Sequence, residues 1–462
     1  MNRRSRNRKG ITSVLAMLFL IVFSILAIGF YASTTTSVQI TANQQRSNRA
    51  RLAAESGVQF MRYHLARVSI PSSSTTVLNE LYDDLRSSLQ GTTNLGGNSI
   101  SITGTSPNQV IYIPSNSSSY IPIDTTDGTG FTAMIKEWGG NIICTVTGRS
   151  GPTSSANGKS VSLQFERVTV PWKVFDYAVA SKGQVLMQKG SLTGVAGVST
   201  DDIATMMSSK SSGNAITVTG GTIGGDLNVL DDNQVSVSGG SVGGTSNTVS
   251  IMNAHVHEVP APTFPTFDTS VFAQYATNTY SSGSTLSNVR IPRGTNPKFT
   301  GGATIQGILY VESPNTIEFR GNVKLNGFIV FEGTNDTTKN VIDMSGNFTW
   351  GTLPTGSAYD ALRSTTGVAI LGPTTLMTMS GSSDSTIKGN VILGRFVNAG
   401  SADMTIDQGT LMTLDDTSST ASATFNGKTV KFKAIGKNNQ PSQGVTYSQK
   451  YSPVAGSFQE LD

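Results

Sequence analysis

The chain has 462 residues and a formal charge of +4, with only 13% Asp, Glu, Lys and Arg, about half the usual share of near 25%. Five of its cations, Arg3, Arg4, Arg6, Arg8 and Lys9, stand ahead of residue 10, and removing them takes the charge from +4 to −1. With no basic patch interleaved with aromatics, that balance excludes a nucleic-acid partner, and a single cysteine, Cys144, excludes an intrachain disulfide. The length suits two or three domains.

The first element follows the basic block. Residues 11–31 are uncharged and mostly apolar, and at about 1.5 Å per helical residue they match a hydrocarbon core of about 30 Å. No small-x-small cleavage site follows. The cations preceding the span are expected to hold the N-terminus in the cytoplasm. The implied location is the inner (cytoplasmic) membrane, single-pass, with the body extracytoplasmic. Helical character continues beyond the span, and Ala54, Val58, Met61, Leu65 and Val68 recur in steps of 4, 3, 4 and 3, the spacing of one helix face. A helix over 11–68 would be about 85 Å long, with Pro71 as its terminator. The stripe fits packing on a neighbouring subunit or on the chain's own head. Gly57 costs about 1 kcal/mol relative to Ala in a helix, and allows a bend or close approach by another chain.

A second helix is predicted over 76–89, with Leu78, Leu81, Leu85 and Leu89 on one face. Strands are predicted over 99–103, 109–113, 131–136, 141–147 and 160–170. Helix followed by antiparallel strands defines an α+β head over 69–172. Cys144 falls in a strand-like apolar run and reads as a buried small hydrophobe.

From residue 173 the texture becomes β-prone with Gly-rich corners. Residues 215–225 and 234–244 share one pattern at an offset of 19, and 295–311 resembles 315–331 at an offset of 20. The run 385–397 has the same cadence. A period near 20 with glycine turns predicts a β-solenoid (β-helix), with a Gly-rich β-sandwich as the competing fold. Pro260, Pro262 and Pro265 interrupt it. The expected division is a leader over 1–10, a transmembrane and spine helix over 11–68 and a head over 69–172. It continues with solenoid over 173–254, a Pro-rich crossing or loop over 255–290, solenoid over 291–436 and a polar tail over 437–462 that closes the stack. The fold class is therefore α+β then all-β.

The basic leader ending in Lys9-Gly10 resembles a type IV prepilin leader. The run Ala53-Ala54-Glu55-Ser56-Gly57 resembles the end of the N-terminal module of PilX-like pilus-assembly proteins. The resemblance covers residues 9–68 and implies cleavage after Gly10 by a prepilin peptidase, N-methylation of Ile11 and assembly with other pilin or pseudopilin subunits. Major pilins usually carry glutamate at the fifth mature position, where this chain has Leu15. A buried carboxylate is costly in a membrane unless paired, so its absence points to a low-copy, tip or accessory role. A plain signal anchor is the competing reading of the segment.

Chemistry is sparse. His255 and His257, two apart in His255-Val256-His257-Glu258, come nearest to a metal site. In a strand they would share a face, but zinc needs a third or fourth ligand, and no cysteine or further histidine stands near. They read as a solvated strand, with no metal and no cofactor expected. Aspartate pairs at 83–84, 201–202, 231–232 and 415–416 read as surface turns. No catalytic residue is assigned. The reading is a non-enzymatic minor pilin or pseudopilin presenting a β-solenoid for assembly or adhesion, with a surface glycan or host substratum as a candidate contact. The alternatives are a membrane-anchored structural cell-envelope protein and a polysaccharide-active β-helix enzyme.

Overall fold

The computed structural model describes residues 9–115, 119–151, 157–195, 203–333, 340–380, 384–401, 403–417 and 419–461. Residues 1–8 of the leader and the pair Asp201 and Asp202 lie outside them. The chain forms two compact units: Met1–Val170 with Ser448–Asp462, and Pro171–Tyr447.

In the first unit, helix α1 spans Lys9–Leu65. Its apolar residues from Val14 to Tyr31 are exposed, as expected of a helix whose solvent is lipid. Beyond Arg49 one face turns inward, burying Ala50, Ala53, Ala54, Val58, Met61 and Leu65. The helix stops at Leu65, short of the expected residue 68. Ile70–Pro71 forms strand β1, and a residue before proline is pushed to extended backbone, so the helix must end a turn earlier. Helix α2, Val77–Leu89, buries Leu78, Leu81, Leu85 and Leu89.

These helices accompany an antiparallel sheet of β2 (Ser101–Thr103), β3 (Val110–Ile113), β4 (Ile121–Asp124), β5 (Thr129–Trp138), β6 (Asn141–Ser150) and β7 (Asn157–Val170). Burial alternates along β6, the period of a strand with one covered face. Strand β4 was not anticipated, since Pro122 obscures its pattern. The C-terminal residues depart from expectation. Instead of closing a stack, Ser448–Pro453 pairs with β1 and β7, Gln459–Leu461 also pairs with β7, and Tyr451 is 1% exposed. Apolar Tyr451 and the pairing needs of β7 outweigh the polar composition that suggested a tail. The second unit is thus inserted between two paired strands, with Val170 directly opposite Ser448.

The second unit is built of short strands in parallel register. The internal repeat sets that register: Ile216 lies beside Val235 and Thr222 beside Ser241, at an offset of 19. Lys298 lies beside Glu318 and Tyr310 beside Val330, at an offset of 20. The entering strand, Val179–Ser181, pairs with Met206–Ser208 on one side and Leu411–Thr413 on the other. From it the chain proceeds through Leu227–Val229 to Val256–Glu258. It restarts at Asn278–Thr279 beside Thr285–Ile291 and winds back until Leu411–Thr413 meets the entering strand.

The connecting residues 259–277 are more ordered than the predicted loop. They contain a 3-10 helix, Thr269–Tyr275. Phe264, Phe272 and Ala276 pack with Ile308, Tyr310, Phe328, Val330, Leu371, Ile392 and Met412. These residues form a second apolar layer outside the strands. The inner layer runs from Val179, Leu192 and Ile216 to Phe299, Phe319 and Phe348; the Phe299 and Phe319 rings stack at a centroid distance of 5.2 Å, and Phe348 meets Phe319 edge-on at 5.0 Å.

Candidate functional site

Among the described residues, most of the exposed large apolar side chains lie on α1. Among its apolar residues, Val14, Leu15, Met17, Leu18 and Phe19 are all more than half exposed. A window of 18 residues or more in this helix is apolar enough to cross a membrane, and none of it is buried within the chain. Gly10 and Ile11 lie within α1.

The Ala53–Gly57 run is where α1 meets the sheet. Ala53 and Ala54 are buried, Glu55 is half-buried and Ser56 exposed. A Cβ on Gly57 would stand 2.6 Å from both Phe131 and Val146. A Cβ on Gly148, in β6, would enter the backbone of α1 at Ala50, Ala53 and Ala54. Small residues on both sides therefore allow the helix to lie directly on β6. The close approach that Gly57 permits is to the chain's own sheet. Glu55 accepts from Arg51 at 3.1 Å, and Arg51 reaches Glu460 at 3.0 Å. Arg51 and Glu460 are exposed and Glu55 is only half-buried, and such solvent-reached pairs contribute little. Arg49 pairs with Asp127 at 2.5 Å, a contact between residues 78 apart that no local pattern announces. Cys144 is 1% exposed, and burial pushes its thiol up to about 12.

His64 lies on α1 against Phe60 and Tyr63, and burial lowers its pKa. In the second unit, His255 and His257 do come together, but around a residue not singled out from sequence. His255 Nδ1 is 2.8 Å from Asp226 Oδ1, and His257 Nε2 is 3.1 Å from Asp226 Oδ2. His255 is not in a strand. It caps the helix Thr248–Ala254, and the strand starts at Val256. Register explains the meeting, since Leu227 pairs with Val256, which sets Asp226 beside His255. The offset there is 29 rather than 19, because the helix Thr248–Ala254 is inserted in the turn, and this hid the partner from repeat analysis.

Carboxylates of Asp231, Asp232 and Glu258 lie within 4.8 Å of one another, all exposed. Asp415 corrects the expectation of a surface turn. It is 6% exposed and its Oδ1 accepts from the backbone and hydroxyl of Thr417, so it shapes a buried corner. Its neighbour Asp416 is exposed.

Residues 9–59 match the PilX N-terminal family. No curated protein matches the chain. Among solved structures, the competence-associated pilin ComZ from Thermus thermophilus aligns at 12% identity over 90% of this chain and 97% of that one. Its TM-score is 0.24, too low to carry an argument about fold. The chain thus carries a type IV pilin-like N-terminal segment, with a membrane-capable helix, ahead of a large β-rich body.

Proposed function

We propose that the chain is a minor pilin or pseudopilin-like, non-enzymatic component of a type IV pilus or related secretion system. In this reading it is anchored in the inner membrane with its body extracytoplasmic, and a prepilin peptidase cleaves after Gly10 and leaves N-methylated Ile11. The observation that carries it is α1. One helix runs from Lys9 to Leu65, exposes its apolar residues from Val14 to Tyr31 and ends by lying on an antiparallel sheet through Ala50, Ala53, Ala54 and Gly57. An apolar stretch of that length needs either lipid or neighbouring helices around it, and a filament core supplies the second after the membrane supplies the first. Leu15 at the fifth mature position favours a low-copy or tip place over bulk assembly.

The second unit is read as a β-solenoid carried for assembly or adhesion, on the strength of its parallel register at the repeat offsets. Its outward Thr, Ser and Asn suit contact with a surface glycan.

Mass spectrometry of the mature N-terminus, on protein recovered from native membranes, tests the processing step. N-methylated Ile11 is expected, and Gly10→Val should retain the leader and prevent recovery in filaments. An intact leader in the native protein would overturn the pilin reading in favour of a structural envelope protein anchored by the same helix.

A further inference from the structure

We propose that the cavity between α1 and the turn at residues 125–128 binds a carboxylated sugar, a hexuronate, whose carboxylate is taken by Arg46. The cavity has a volume of about 610 Å3, within the range of about 300–1,000 Å3 usual for small-molecule sites. Arg46 and Arg49 both line it. Three residues apart on a helix, they stand side by side, but only one is neutralised. Arg49 is paired with Asp127. Arg46 is half-buried, and among the described residues it has neither a hydrogen bond nor an ion pair. A guanidinium is permanently charged and carries five donors, so holding it partly desolvated and unpaired beside a second cation is unfavourable. An anion in the cavity removes that cost.

Charge selects the kind of anion. Arg46, Arg49 and Asp127 together carry one net positive charge, and the Asp127 carboxylate, which also lines the cavity, repels a second negative one. A carboxylate therefore fits better than a phosphate monoester, which carries about −1.5 to −2 at neutral pH. Its two oxygens also match the planar guanidinium fork.

The rest of the lining suits a sugar ring. Thr125 and Thr126 come from the turn, which the Thr126 N–H closes onto Asp124 Oδ1 at 2.8 Å. Gly151 N–H donates to Asp127 O at 3.2 Å and ties the turn to the end of β6. Ser150 is 1% exposed, and its Oγ accepts from Thr129 at 3.3 Å, which leaves its own proton to donate. Ala42 is the one wholly apolar side chain in the lining, so the cavity lacks the aliphatic and aromatic anchors that a protein partner would use. A lipid headgroup is out of reach. In the anchored chain Arg46 lies about 22 Å along the helix beyond Tyr31, and headgroups extend only about 5–7 Å past the hydrocarbon.

The test is calorimetric titration of the full chain with D-galacturonate, in a polyoxyethylene detergent that carries neither sugar nor charge. Saturable binding is expected, weakening as salt is raised, with D-galactose bound about tenfold or more weakly. Arg46→Gln should lose a similar factor, and Arg46→Lys should retain part of it, because lysine keeps the charge but not the fork. Arg51→Gln, whose partners are Glu55 and Glu460, should bind like the wild type. Arg46 holds no hydrogen bond or ion pair among the described residues, so Arg46→Gln is expected to fold, with unchanged circular dichroism. Absence of saturable binding, equal affinity for galactose, or undiminished affinity in Arg46→Gln would overturn the proposal. Tighter binding of inorganic phosphate would overturn the choice of a carboxylate, and tighter binding of a glutamate-rich peptide would give the cavity to a protein partner instead. Binding here does not require processing at Gly10, so either reading can fail without the other.

Discussion

At the scale of single residues, Gly57 and Gly148 show how contact decides the sign of a substitution. Replacing a mid-helix glycine by alanine usually gains about 1 kcal/mol. At Gly57 the added Cβ meets the buried side chains of Phe131 and Val146, both at 2.6 Å, so overpacking offsets or exceeds the gain. At Gly148 the obstacle is the backbone of α1, which cannot shift without lifting the helix. Gly148→Ala is therefore expected to destabilise by about 1–3 kcal/mol and clearly more than Gly57→Ala, as measured by chemical denaturation of the full chain. Cys144 supplies a local readout. With its thiol pushed up to about 12 by burial, it should resist alkylation at pH 8 until the first unit opens. The unfolded thiol loses its proton nearer 8.5. The folded state thus holds an extra proton above that pH, and stability should fall as pH rises between about 8.5 and 12. Alkaline denaturation of Cys144→Ala should lack that component.

At the scale of elements, the connecting residues 259–277 are the least legible from sequence and among the most consequential. Three prolines predicted an extended crossing, but the apolar role of Phe264 and Phe272 depends on outward-facing residues of strands far away in sequence, such as Tyr310 and Ile392. No local pattern encodes that layer. Phe272→Ala is expected to cost about 3–5 kcal/mol, seen as a lowered melting temperature and earlier cleavage by protease within 171–447. Elements with local signals were legible: the four leucines of α2, the alternation along β6, and the repeat offsets that became parallel register. Those that depend on a distant partner were not. The C-terminal strand Ser448–Pro453 has no apolar alternation, because half of what orders it is the ladder with β7. At the candidate site, the two histidines were legible as a pair, while their shared hydrogen-bond partner Asp226 was not, since the helix Thr248–Ala254 displaced the repeat by ten residues.

At the scale of the molecule, the insertion of Pro171–Tyr447 between paired strands makes the first unit complete without it. Joining Val170 to Ser448, which already face each other, through an Asn-Gly turn should give a hairpin of ordinary geometry. The shortened chain is expected to fold and to keep Cys144 protected from alkylation. Labelling at the rate of the unfolded chain would show that the first unit needs the insert.

The same attachment determines how the protein bears load. A pull on 171–447 directed along the strands enters the first unit through Val170 and Ser448 together, in the same direction. The ladder between their two strands is then not sheared at all. Resistance falls instead on the nine residue pairs joining β7 to β6, loaded side by side rather than peeled one after another, and through β6 on the helix that Gly148 allows to lie against it.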